Sequence, residues 1–326
     1  MHHLIEERDA AAATFARMNS LPVLDPQSPE ARAIFHLAIV SGIIFTLIFI
    51  IVAGMIVYAL MRYRWREGEA EPRQLAGNKA VEIVWTAIPC LIVVVLFLLT
   101  WQSMNASDPP AAATPDIVIT GHQWWWEARY PKSGVITANE IHIPAGRPLS
   151  IRLESADVLH EFWVAQLTRK MATVPDHPNH IWIQADAPAT YLGVCSEFCG
   201  TQHAWMHFLV VAETPEQFAA WEKAQLAPAK IPDSGSAAQG LAIFQEHSCM
   251  NCHAINGTAA EARVGPDLTH FASRRILGAG VVDNTPANLR RWLTDPQLVK
   301  PGVKMPDYKF SEAQVTQLAD YFETLQ

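Results

Sequence analysis

Charge is scarce in this 326-residue chain: Asp, Glu, Lys and Arg make up only 17% of it, against 50% hydrophobic residues. That balance leans away from a soluble protein. A basic excess is missing too. The net charge of -8 argues against nucleic acid as a partner, because neutralising phosphates needs a basic face, yet it permits attraction to a basic protein. The chain also lacks the even cysteine count of a disulfide framework. Its five cysteines stand as Cys195/Cys199, Cys249/Cys252 and a lone Cys90, which suits cofactor ligation better. No internal repeat is present. Residues 1–32 lack the basic-then-apolar grading of a cleavable signal peptide, so no cleavage is expected before the first apolar run.

The shortage of charge is concentrated in two places. Residues 33–61 and 83–107 contain no Asp, Glu, Lys or Arg, and at ~1.5 Å per residue a helix over either run exceeds the ~30 Å hydrocarbon core of a bilayer. Soluble core helices of this length carry a charged face, so two membrane spans are expected. Pro89 would fall in the first turns of the second, where proline costs a helix least. Arg62, Arg64, Arg66, Arg73 and Lys79 lie between the runs. Short loops rich in Arg and Lys stay cytoplasmic, which puts both termini outside.

After the linker Asp108-Pro109-Pro110 the texture becomes short β-rich runs at 116–121, 140–143, 149–153, 161–164, 180–184, 190–194 and 207–212, separated by turn residues such as Gly134 and Pro148. This is the pattern of an all-β sandwich or barrel. Thr214-Pro215-Glu216-Gln217 predicts a capping box opening a helix to about Gln225. Residues 227–236 read as a flexible connector. Apolar spacing near 3.6 predicts helices over 237–246, 288–293 and 311–325. The expected organisation is an N-terminal extracytoplasmic segment (1–32), a two-helix transmembrane hairpin (33–107), an all-β domain (108–213), a helix and linker (214–236) and an all-α domain (237–326).

Cys195-Ser-Glu197-Phe-Cys199-Gly-Thr-Gln-His203-Ala-Trp-Met206 places two thiols, an imidazole and a thioether in one stretch. A helix face could use this spacing, but the strand-like residues before it and Gly200 within it favour a loop folded around a metal. Soft sulfur with imidazole favours copper. Two cysteines could bridge two coppers, each needing one imidazole, and His160 in Asp157-Val-Leu-His160 supplies the second. The rival is a tetrahedral Cys2His2 zinc site, which leaves Met206 without a role.

These segments resemble the CuA domain of cytochrome oxidase subunit II, a cupredoxin-like fold. The resemblance covers residues 25–225. It implies a binuclear copper centre held by His160, Cys195, the Glu197 backbone carbonyl, Cys199, His203 and Met206, and a magnesium or manganese ion reached by the Glu197 side chain at the boundary with subunit I. Gly121-His-Gln-Trp124-Trp-Trp126 resembles the family's aromatic patch, implying that Trp124 accepts electrons, although a packed aromatic strand would read the same way. Val81-Glu82-Ile-Val-Trp85 matches the segment whose Glu opens a proton path into subunit I; without the resemblance Glu82 is a first-turn acid favoured by the helix dipole. Ala172 and Pro175-Asp176-His177 depart from the family pattern near the secondary metal, and Glu161 stands where Ser is frequent.

Cys249-Met-Asn-Cys252-His253 is the attachment pattern of a c-type haem, two thioethers and an axial imidazole. A redox dithiol would need a βαβ setting that is not seen here. With Gly265-Pro266 and Lys304-Met305-Pro306 following, the segment resembles a small class I cytochrome c, implying Met305 as sixth ligand and the Pro266 carbonyl as partner of the proximal imidazole. Met250, between the attachment cysteines, cannot reach the opposite haem face.

Together these resemblances imply a caa3-type subunit II. It would be the electron-input subunit of a proton-pumping oxidase in the bacterial inner membrane, with its copper and cytochrome domains on the periplasmic side. The implied partners are subunit I, where oxygen is reduced, subunit III, membrane lipid, and a soluble cytochrome c or a quinol–cytochrome c reductase as donor. Two alternatives remain at this point: the electron-input subunit of a CuA-containing nitric oxide reductase, and a non-catalytic cupredoxin-type copper-binding protein.

Overall fold

The computed structural model describes residues 22–68, 74, 77–107 and 114–326. Residues 1–21, Arg73 of the basic loop and the Asp108-Pro109-Pro110 linker lie outside the described residues. The chain divides into two compact units, one holding the apolar helices and one holding residues 22–31 and everything from 114 onward.

Helix α1 spans Pro29–Arg62, with Pro29 at its first position, Glu30 in its first turn and Arg62 in its last, each favourable at that end. Helix α2 spans Lys79–Ser107. It starts four residues before the charge-free run because Asn78 Oδ1 accepts the Ala80 and Val81 N–H groups (3.0 and 3.3 Å), capping a turn that includes polar Lys79 and Glu82. Pro89 therefore sits in the helix interior and not in its first turns, a correction to the expectation from charge alone. Large apolar side chains such as Phe49, Ile51, Val93 and Phe97 are exposed along both helices, as lipid contact requires.

The second unit begins as a sandwich of two five-stranded sheets. The first runs β3-β2-β1-β5-β8 and the second β4-β10-β9-β6-β7. The strands are β1 (Ile117–His122), β2 (Trp125–Arg129), β3 (Ile136–Ala138), β4 (Glu140–Pro144), β5 (Leu149–Ser155), β6 (His160–Trp163), β7 (Met171–Thr173), β8 (Asn179–Ile183), β9 (Ala189–Cys195) and β10 (His207–Glu213). Pairs β1/β5 and β4/β10 are parallel and the others antiparallel, the cupredoxin-like arrangement. Its core centres on Trp126, which meets Phe208 (5.4 Å) and Phe162 (5.8 Å) edge-on. Strand β2 realises the packed-strand alternative for Trp125 and Trp126, while β3 and β7 fall outside the expected runs.

Helix α3 (Pro215–Gln225) opens on the Thr214/Gln217 capping box. Residues 227–236 are not a loose connector throughout: the Ala229 N–H donates to Asn256 O (2.9 Å) and its side chain joins the core of the C-terminal domain. That domain is built from α4 (Gly235–Glu246), α5 (Pro286–Thr294), the short α6 (Pro296–Val299) and α7 (Glu312–Phe322). Between Arg275 and Asn284 it carries a hairpin, β11 (Ile276–Leu277) and β12 (Val282–Asp283), that the sequence did not announce.

Candidate metal and haem sites

Strand β9 ends at Cys195, the chain turns through Cys199 and a 3-10 turn at His203–Trp205, and β10 leaves from His207. The antiparallel register sets His207 opposite Val194, closing this loop over the sandwich end. Strand β6 pairs with β9 so that Phe162 faces Cys195, which brings His160 alongside. The sulfurs of Cys195 and Cys199 lie 3.8 Å apart. His160 Nδ1 is 4.0 Å from the first, His203 Nδ1 is 3.7 Å from the second, Met206 Sδ is 3.8 Å from Cys199, and Glu197 O is 3.2 Å from Cys195. All six residues picked from the sequence thus converge, with one imidazole flanking each sulfur. Among the described residues, His160, Cys195 and Cys199 form the only metal-capable cluster of three or more His, Cys or acidic groups.

Electrostatics follows the geometry. The bond from Cys199, with help from His160, holds the Cys195 thiol down at about 3, and the same shared proton pushes Cys199 up. Burial works against a charged His160, but Cys195 and Asp157 outweigh it and raise its affinity for a proton. Asp157 Oδ1 accepts from His160 Nε2 (2.8 Å), leaving Nδ1 for a metal, and its other oxygen accepts the Gln123 N–H (2.7 Å). Sequence reasoning passed over Asp157 although it stands three residues before His160, the spacing of a histidine and its orienting carboxylate. Glu161, unexplained in sequence, accepts from Ser196 Oγ (2.7 Å) and ties the copper loop to β6. The Glu197 carboxylate is exposed. Ala172 lies in β7, and Asp176 makes a tight turn with φ +58°.

Gln123 and Trp124 meet the loop from the β1–β2 connection. Both side chains donate to Cys199 O, Gln123 Nε2 at 2.8 Å and Trp124 Nε1 at 3.0 Å. By contrast Trp125 stacks on His122 (4.1 Å) and Trp126 is core.

In the C-terminal domain one cavity is lined by Cys249, Cys252, His253 and Met305, and also by Trp124 and Gln123. His253 Nδ1 donates to Pro266 O (2.7 Å), which leaves Nε2 as the free ligand nitrogen, and burial lowers its pKa, favouring the neutral imidazole. A Cβ on Gly265 would lie 2.6 Å from the His253 ring, so only glycine fits there. Met305 Sδ accepts from Trp292 Nε1 (3.1 Å). Arg274, which lines the same cavity, has a buried Nε with no partner, as an acidic substituent of a bound macrocycle would require. The donor sets therefore fit a copper pair and a covalent haem. Glu82 N–H donates to Asn78 O in the first turn of α2 and the Glu82 side chain is exposed.

The sequence matches three families: the transmembrane domain of cytochrome c oxidase subunit II over residues 16–103, its periplasmic domain over 133–213, and cytochrome c over 237–326. It is 38% identical to cytochrome c oxidase subunit 2 of Alkalihalophilus pseudofirmus, over 94% of this chain and 91% of the relative. It is 31% identical to that of Bacillus subtilis, over 94% and 92%. The periplasmic domain of cytochrome oxidase subunit II of Bradyrhizobium japonicum superposes on 36% of this chain and 95% of its own, with TM-score 0.34 and 26% identity.

Proposed function

The chain belongs to the cytochrome c oxidase subunit II family, with a cytochrome c domain fused behind the copper domain, and we propose that it receives electrons at a haem c and delivers them through CuA to subunit I of a membrane-bound oxidase. His160, Cys195, the Glu197 carbonyl, Cys199, His203 and Met206 would hold the copper pair. Cys249 and Cys252 would bind the haem covalently, with His253 and Met305 as its axial ligands. When bound, these groups supply two one-electron carriers.

This chain's own residues do the positioning. Asp157 and the Pro266 carbonyl fix the ring orientation of His160 and His253. Trp124 is the observation that carries the reading, because its ring lines the haem cavity while its indole N–H bonds the backbone of Cys199. In this reading oxygen reduction belongs to subunit I, and this chain's two sites act as one-electron carriers that feed it. The finer parts of the reading are that the complex is of the caa3 type and pumps protons, that Glu82 opens a proton path, and that the Glu197 carboxylate shares a magnesium or manganese ion with subunit I. A subunit III, a soluble cytochrome c or quinol–cytochrome c reductase as donor, and a periplasmic placement outside the bacterial inner membrane complete it. Arg62, Arg64 and Arg66 between the spans support that orientation.

Metal and haem analysis of the purified complex, with electron paramagnetic resonance, tests the centre of the proposal. Two coppers sharing one unpaired electron and one covalent haem c per chain are expected. A single exchangeable copper would refute it.

A further inference from the structure

A lysine is almost never fully buried unless its charge is answered. Lys300 is 2% exposed. Its Nζ donates to three backbone carbonyls, Trp124 O (3.0 Å), Trp205 O (3.0 Å) and Gly278 O (2.8 Å). An ammonium has three N–H donors and no acceptor, so the three carbonyls satisfy it completely. Two of them belong to the copper domain, on residues next to the copper loop or within it. The third is at the tip of the β11–β12 hairpin of the cytochrome domain.

The neighbourhood is built around this contact. The hairpin tip reaches β10 through the His207 N–H donating to Ala279 O (3.0 Å), and Ala279 packs with Trp125 and Ala138. At the hairpin base Glu140, buried at the start of β4, accepts the N–H groups of Arg275 and Ile276 (2.5 and 3.0 Å), while Ile276 packs with Leu209 and Val211. Beyond Lys300 the loop lays Gly302 against Thr201 and carries Lys304, whose Nζ donates to Gln123 Oε1 (3.0 Å). Met305 follows. The segment that would supply the haem ligand is thus anchored, five residues upstream, in the backbone of the copper domain.

We propose that Lys300 is a positioning residue, whose ammonium pins the cytochrome domain to Trp124 and Trp205 so that the haem cavity is held against Trp124 in one orientation, with Glu140 as the second anchor. The cytochrome is then a docked component, and electron transfer to copper needs no search by a tethered domain. This inference rests on the relay proposed above and assigns its geometry to two residues outside both ligand sets.

Hydrogen–deuterium exchange of the purified oxidase reads the docking directly, whether or not electrons flow. In the parent protein the amides of Arg275, Ile276 and His207 are expected to be protected. Lys300→Met, which keeps the length but leaves three carbonyls without a donor, should lose that protection by about tenfold or more. Photoreduction of the haem followed at the copper band gives the second readout. The parent rate should be independent of viscosity, and Lys300→Met should be about tenfold slower and viscosity-dependent. Should Lys300→Met fail to assemble, the Glu140 pair decides: Glu140→Gln retains an oxygen acceptor and should keep protection, whereas Glu140→Ala should lose it. Retained protection in Lys300→Met, protection lost with an unchanged rate, or equal behaviour of the two Glu140 variants would each overturn the assignment. A parent protein lacking the shared-electron copper signal or the haem would instead sink the relay, and the exchange result would stand apart from it.

Discussion

Asp157 shows how much of the copper site depends on a residue that touches no metal. Burial tends to raise its carboxyl, but the bond from His160 and those from the Gln123 and Val158 N–H groups outweigh this and hold it below the ordinary aspartate range. A lowered folded-state pKa contributes stability that is fully present above the unfolded value of 3.8 and is lost as pH falls through the lower folded value. The anchor on His160 is therefore intact at neutral and mildly acidic pH. Asp157→Ala should lower copper affinity about 10- to 100-fold, measured by competition with a chelator near pH 7. An unchanged affinity would show that β6 alone fixes the ring. The centres of the two proposed sites stand out in the sequence because Cys195–Met206 and Cys249–His253 are short, chemically distinctive stretches, whereas His160 lies 35 residues upstream of Cys195 and Met305 is distant from His253. Lys300 does not, since Val299-Lys300-Pro301-Gly302 resembles a solvent turn, and two of the three carbonyls that hold it lie 95 and 176 residues away.

Strands and helices divide along the same line. Strands β1, β4, β5, β6, β8, β9 and β10 could be read from runs bounded by turn residues, and α3 from its capping box, because those signals are local. Strand β2 was open only as one of two readings of the aromatic patch: Trp125, Trp126, Glu127, Ala128 and Arg129 show no clean alternation, since Trp125 is covered from outside by Ala279 while Trp126 fills the core. The β11–β12 hairpin has two residues per strand and owes its form to tertiary partners, Glu140 at its base and Lys300 at its tip. Its apolar anchor should be correspondingly sensitive. Ile276 is buried against Leu209 and Val211, and Ile276→Ala is expected to cost about 2–4 kcal/mol of local stability by leaving a cavity. In a thermal melt of the complex, the transition reported by the haem Soret band should fall while the copper band holds to higher temperature. Coincident loss of both bands would mean that the two domains unfold as one unit and that the hairpin is no separable latch.

The copper and cytochrome domains share one compact unit, and this changes the consequence of fusing them. A flexible tether would raise the local concentration of donor and leave Trp124 open to outside proteins between encounters. Here Trp124 bonds Cys199 through its indole, gives its carbonyl to Lys300, has Lys304 Nζ 5.8 Å from its ring centre, and lines the haem cavity. With Trp124 half-buried under these contacts, the proposed relay has an external donor deliver its electron to the cytochrome domain first. Trp124→Phe separates the two steps, because it removes the indole bond to Cys199 while preserving an aromatic ring in the cavity wall. In stopped flow with a reduced donor, haem reduction by this variant should stay within about twofold of the parent, and copper reduction should slow about tenfold or more. Equal slowing of both bands would mean that the donor also meets Trp124. Full-speed copper reduction would mean that the electron takes a path through another residue of the interface.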